Sequence, residues 1–156
     1  ARFHTVFATF DPKLRHGGIA AFVVPADLPG VKVGRIEDKL GQRASHTCDV
    51  IYEEVKVPKK YLLAPQGQGF KLAMKTFEHS RPGVAAQAVG LAQGALEYAL
   101  VYTTGRQQFG APLSSFQMVQ QMIADMATKV EAARQLVHAA ARAIDASEPF
   151  ASMTMS

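Results

Sequence analysis

Apolar positions repeat every second residue at the start of the chain and every third or fourth residue over its second half. From Phe3 to Phe10 the series Phe3, Thr5, Phe7, Thr9 alternates with His4, Val6, Ala8, Phe10, the period of a strand, and Asp11-Pro12 stops it. Ile19 to Val24 is a continuous apolar run too short for a helix and bounded by Gly17-Gly18 and Pro25, which predicts a buried strand. Val31-Lys32-Val33, after the turn Leu28-Pro29-Gly30, and Asp49 to Val57, closed by Pro58, predict two more strands. Turns this frequent point to a barrel or sandwich.

Past Pro65-Gln66-Gly67-Gln68-Gly69 the rhythm lengthens. Phe70, Met74 and Phe77, continued by Val84, Ala88, Leu91, Ala95, Tyr98 and Tyr102, form one helical stripe. Pro82 is expected to kink or restart that helix, because a mid-helix proline removes a donor and clashes with the preceding turn. A second stripe, Val119, Ile123, Met126, Val130, Ala133, Val137, Ala140 and Ile144, predicts a helix from near Ser115 through about seven turns. Two long helices joined by a short turn make an antiparallel pair whose outer faces need further helices to cover them. The fold class is therefore α+β by segment: a partial β-barrel or sandwich over 1–66, then two long antiparallel bundle helices over 67–156.

Composition refines this picture. Of 156 residues 48% are apolar and 19% charged, with no low-complexity tract, which is the profile of a globular chain with a core. The length suits one domain, but the change of period predicts pieces of two. The net charge of +4 divides as ten basic against seven acidic residues in 1–66 and seven against six in 67–156. Nucleic-acid binding needs basic side chains gathered on one face or helix, and the densest group here is only Lys56, Lys59 and Lys60, which argues against it. Cys48 alone rules out an intrachain disulfide or a multi-cysteine zinc site and fits a reducing compartment. No uninterrupted apolar run approaches the ~20 residues of a membrane span, and Ala1-Arg2-Phe3-His4 lacks signal-peptide organisation, so no span is expected. A start without methionine and a close at Ala151–Ser156 without a helix-ending glycine or proline lead to the expectation of an internal fragment.

Two constellations carry candidate chemistry. In Arg106-Gln107-Gln108-Phe109-Gly110 the arginine offers a planar fork of donors for a pyrophosphate, the aromatic covers an adenine or ribose, and the glycine permits a tight exit. The same residues fit a surface arginine favoured near a helix C-terminus, with Phe109 packed under the turn. Gln117 has two compatible readings. Ser114-Ser115-Phe116-Gln117 matches a capping box, with Leu113 and Met118 placed for the staple, and a helix N-terminus also receives phosphate. The second constellation, Glu78-His79-Ser80-Arg81 before Pro82, gathers acid, imidazole, hydroxyl and guanidinium at the expected helix break, where a polar ligand or plain solvent fits. None of these has triad or metal spacing, and His4, His16, His46 and His138 are scattered, so no metal site is assigned. Gly67-Gln68-Gly69 lacks the lysine and hydroxyl of a phosphate loop and reads as a boundary turn.

In order along the chain, Lys39-Leu40-Gly41-Gln42-Arg43-Ala44-Ser45, Val55-Lys56-Val57-Pro58, Gly67-Gln68-Gly69-Phe70-Lys71, Ser80-Arg81-Pro82, Ala88-Val89-Gly90-Leu91-Ala92-Gln93, Arg106 to Gly110 and Phe116-Gln117 resemble the motifs of acyl-CoA dehydrogenases. The resemblance implies that 1–66 is the C-terminal half of a middle β-domain. It implies that 67–156 is the N-terminal half of a C-terminal helical domain, carrying the first two helices of a four-helix bundle in a homo-oligomer, a dimer of dimers. Arg106, Gln108, Phe109 and Gln117 would contact FAD, chiefly its pyrophosphate and adenosine end, across a dimer interface; Gln108 stands where some relatives have threonine. Glu78, His79, Ser80 and Arg81 would line the acyl-CoA site.

The implied reaction is α,β-dehydrogenation of an acyl-CoA thioester to a 2,3-enoyl-CoA. A glutamate takes the α-proton, the β-hydride passes to the flavin, and an electron-transfer flavoprotein receives the electrons. Most members carry that base on a later segment, expected beyond Ser156, and a minority just before the arginine matched by Arg81, where this chain has Ser80. Glu78 faces another side of the helix, so no catalytic residue is assigned within the chain, and the fragment alone is expected to be inactive. The implied location is cytoplasmic in a bacterium and the mitochondrial matrix in a eukaryote. An acyl-CoA oxidase or flavin monooxygenase of the same fold stays open as an alternative, as does a non-enzymatic helical assembly module using the Val84 and Val119 stripes.

Overall fold

A computed structural model of the chain describes residues 1–148; the chain end Ala151–Ser156 lies outside the described residues. Strands give way to two long helices with a small hairpin between them. The framework divides into two compact units, Ala1–Met74 and a second beginning at Lys75.

In the first unit β1 (Phe3–Thr9), β2 (Ile19–Pro25) and β5 (Leu62–Ala64) form an antiparallel sheet in the order β1-β2-β5. Phe3 pairs with Pro25 and Thr9 with Ile19, and between the strands Asp11 caps a 3-10 turn by accepting the Lys13 N–H at 2.9 Å. The apolar run of β2 follows from its central place: partners lie on both sides, and Ala20, Ala21 and Val24 are buried. β3 (Val31–Ile36) and β4 (Cys48–Tyr52) make a separate antiparallel pair. His4 of β1 meets Tyr52 of β4 edge-on, with ring centroids 6.0 Å apart, which ties the two sheets together within the unit. β4 ends at Tyr52, short of the expected Val57, because Glu54 turns into the left-handed region at φ 50° and takes the chain out of the ladder. The strands make a partial sandwich; no closed barrel forms among the described residues.

Helix α1 (Gly69–Gly105) begins in this unit. Gly67 holds φ at +80° and donates its N–H to the Ile19 carbonyl at 3.0 Å. A Cβ on Gly69 would stand 2.6 Å from the Ala20 carbonyl carbon, so only glycine lets the helix start this close to β2. The Gly-x-Gly pair is thus a backbone packing device.

In the second unit α1 continues unbroken through Pro82, so the expected restart does not occur. Proline forgoes one N–H donor, but helix of many turns on both sides holds the backbone, and Pro82 is buried. Helix α2 (Gln117–Asp145) runs antiparallel to α1. Val89 shares a cavity with Val137, Thr103 shares another with Ile123, and Arg134 Nη2 donates to Gln93 Oε1 at 2.7 Å. The predicted α2 stripe is the packed one: Val130 and Ala140 are buried and the rest half-buried.

The predicted α1 stripe is not. Leu91 is 76% and Tyr98 75% exposed, with Val84 and Tyr102 also bare, while Ala85, Val89, Gln93, Leu96 and Thr103 are the more covered side. α1 is also long and apolar enough, by length and composition, to cross a membrane, which a search for uninterrupted apolar runs overlooks; the core helix of a soluble protein passes the same measure.

Candidate functional site

The stretch from Arg106 to Gln117 folds on itself. α1 ends at Gly105, where Thr103 and Thr104 turn their hydroxyls back onto carbonyls of the last turns, and the Arg106 N–H donates to Tyr102 at 2.9 Å. Two short strands, β6 (Gln107–Gln108) and β7 (Ala111–Pro112), pair with Gln107 opposite Pro112 and Gln108 opposite Ala111. The Leu113 N–H donates to the Arg106 carbonyl at 2.8 Å and closes the base of this hairpin.

Phe109 and Gly110 form its two-residue tip, both with positive φ, at 52° and 78°. This is the turn whose twist suits a tight hairpin, and its first position normally goes to asparagine, aspartate or glycine. A bulky aromatic there is strained, and Phe109 is also 95% exposed. The ring does not pack under the turn, contrary to the simple surface-turn reading. It touches Phe116 edge-to-face, with centroids 6.4 Å apart and planes at 84°.

The capping box at Ser114 does not form either. Leu113–Ser115 is a 3-10 turn in which Ser115 Oγ donates to the Pro112 carbonyl at 2.7 Å, and the N-cap of α2 is Phe116, which supplies no side-chain cap. Gln117 is therefore the first residue of α2, with an exposed side chain. Early N–H groups of α2 remain outside the intrahelical ladder, which begins with Val119 and Gln120 donating to the Phe116 carbonyl at 3.0 Å. Arg106, Gln108, Phe109 and Gln117 thus lie exposed on one compact segment, with a guanidinium, two amides, an aromatic face and a positive helix end. That donor set fits the pyrophosphate and base of a dinucleotide. Phe116 is absent from the sequence-based set; an aromatic one residue ahead of a helix, where serine or aspartate is usual, is the signal that marks it.

The second constellation sits inside α1, so consecutive residues fan out around the helix. Glu78 and His79 border a cavity of about 300 Å³ with Lys75, Ile144, Ser147 and Glu148, whereas Ser80 and Arg81 do not line it. His79 Nδ1 lies 3.0 Å from the Lys75 carbonyl, and Ser80 Oγ donates to the Phe77 carbonyl at 3.3 Å.

The family description "Acyl-CoA dehydrogenase, C-terminal domain" matches residues 67–156, and "Acyl-CoA dehydrogenase, middle domain" matches residues 1–55. The short-chain specific acyl-CoA dehydrogenase of bovine (Bos taurus) mitochondria is 48% identical over 145 residues, 93% of this chain and 35% of that protein. The butyryl-CoA dehydrogenase structure from Megasphaera elsdenii superposes with a TM-score of 0.92 at 42% identity, covering 97% of this chain and 39% of that one. A chain solved in work on the electron transferring flavoprotein of Acidaminococcus fermentans gives 0.92 at 46% identity, covering 99% and 40%. The chain spans 35–38% of the length of the curated relatives it matches.

Proposed function

The chain belongs to the acyl-CoA dehydrogenase family, and from that premise we propose that it is part of an FAD-dependent enzyme that dehydrogenates an acyl-CoA thioester to a 2,3-enoyl-CoA. The observation that carries the reading is the hairpin and helix start that present Arg106, Gln108, Phe109 and Gln117 together and exposed. Arg106 would pair its guanidinium with the cofactor's pyrophosphate, Gln108 and Gln117 would donate amide N–H groups, and Phe109 would lie against the adenosine end. FAD, when bound, supplies the hydride acceptor. Glu78, His79, Ser80 and Arg81 would meet the acyl-CoA. No residue of this chain is assigned as the base.

Residues 1–66 and 67–156 would be parts of two domains. The bare side of α1 would be covered by helices from the remainder of the protein. Site sharing across a homo-oligomer completes the scheme. The similarity to the chain from the electron transferring flavoprotein study supports such a flavoprotein as the electron acceptor. The location would be the cytoplasm of a bacterium or the mitochondrial matrix of a eukaryote.

Arg106→Ala in the full-length protein tests this. Loss of a charged contact to phosphate should raise the Kd for FAD about tenfold or more, read by flavin fluorescence. Unchanged affinity in an intact oligomer would instead support a purely assembling role for these helices.

A further inference from the structure

Two local choices at the hairpin run against backbone preference, and they meet. Phe109 occupies a left-handed turn position at φ 52°, where a branched or bulky side chain crowds the backbone. Phe116 occupies the N-cap of α2 with extended φ and ψ of −87° and 128° and gives the helix no side-chain cap, although Ser114 and Ser115 stand directly before it. The serine that precedes it is engaged elsewhere, through Ser115 Oγ and the Pro112 carbonyl. The two rings contact edge-to-face at a centroid separation of 6.4 Å, within the range aromatic pairs favour. Departures from local preference that reinforce each other are where function is expected.

We infer that Phe116 is a positioning residue: its half-buried ring holds the exposed ring of Phe109 in one orientation on the strained turn, so that Phe109 meets its ligand already ordered. The inference rests on the reading that Phe109 contacts the adenosine end of FAD. A side chain 95% exposed otherwise samples several rotamers, and fixing them on binding weakens affinity. Phe116 removes that penalty in advance without touching the ligand itself. Phe116 follows the hairpin directly, through the 3-10 turn Leu113–Ser115.

The test uses the full-length protein and measures FAD affinity by fluorescence titration, with thermal melting alongside. Phe116→Ala should raise the Kd about three- to tenfold, the range expected for ordering one side chain on binding. Phe116→Tyr should restore it to within about twofold, because the ring and its edge contact are retained. Phe109→Ala should weaken binding at least as much as Phe116→Ala, and the Phe109→Ala/Phe116→Ala pair should be no weaker than Phe109→Ala alone. A merely structural role for Phe116 predicts additive losses, and additivity overturns the inference, as does wild-type affinity in Phe116→Ala while Phe109→Ala is weakened. Failure of the flavin reading looks different: Arg106→Ala and Phe109→Ala would both keep wild-type affinity, which removes the premise and the inference together.

Discussion

Helices α1 and α2 are packed against each other yet are written in different ways. α2 carries Asp125, Lys129, Glu131, Arg134, Arg142 and Asp145 around an apolar stripe, whereas between Pro82 and Gly105 α1 has one charged residue, Glu97. α2 therefore declares an inside and an outside. Over that stretch α1 has too little charge to mark an outside, and its more covered face is the one that holds Ala85, Val89 and Leu96. A helix with one declared face is complete once that face is covered; a helix without one needs neighbours on two sides. Within the reading proposed above, the difference would place α2 on the rim of a helical assembly and α1 toward its interior.

Substitutions on the two faces sharpen or break that contrast. Val130→Asp places an unpaired charge in the buried seam and should destabilise the intact protein by about 3 kcal/mol, measured by urea denaturation. A smaller loss would mean that the seam is wetter than its burial implies. Leu91→Asp comes next. On a face covered in the whole protein it should cost about 2 kcal/mol or dissociate the assembly, read by denaturation and sedimentation. A change within about 0.5 kcal/mol, as for an ordinary surface position, would leave α1 bare and end the assignment of an interior place.

The smallest effect belongs to the solvent side of α2. The Gln135 amide donates to Glu131 at 2.5 Å and, with help from Arg134 and His138 against some desolvation, holds the Glu131 carboxyl below its ordinary range. A depressed carboxylate contributes stability that is present above its unfolded pKa and lost as pH falls through the lower folded value. Glu131→Gln should therefore lower the melting temperature slightly near neutral pH and flatten the acid limb. Equal shifts at about pH 7 and about pH 3 would show that the group is not linked to folding.

The same contrast explains what the chain discloses of its own structure. The α2 stripe from Val119 to Ile144 is legible because charge on the opposite side leaves one solution to the pattern. On α1 the steps of three and four find Val84, Leu91 and Tyr98, a real stripe on the less covered face, because the covered side mixes Ala85, Val89 and Leu96 with polar Gln93 and Thr103 and gives no contrast. β2 is legible from an apolar run that a central strand requires, while three-residue β5 is too short to show alternation. At the candidate site residue types point to Arg106, Phe109 and Gln117, but not to their arrangement. Nothing in the run Phe109-Gly110 announces a left-handed phenylalanine, since that conformation is imposed by pairing across the hairpin. The helix start departs from the capping-box pattern for a related reason: serines that suit a cap are drawn into the 3-10 turn, which moves the boundary to Phe116.

The two-residue tip also sets a rule about length. In a hairpin this short the register of β6 on β7 is dictated by the number of residues in the turn, and the Leu113 bond to Arg106 depends on that register. One inserted residue would replace the turn class and shift the strands by a step, separating Arg106 from Gln117 without altering either side chain. Surface loops elsewhere tolerate a longer chain at small entropic expense. On the cofactor reading the count of residues would itself matter, and the joint between α1 and α2 would work as a gauge block of set dimension.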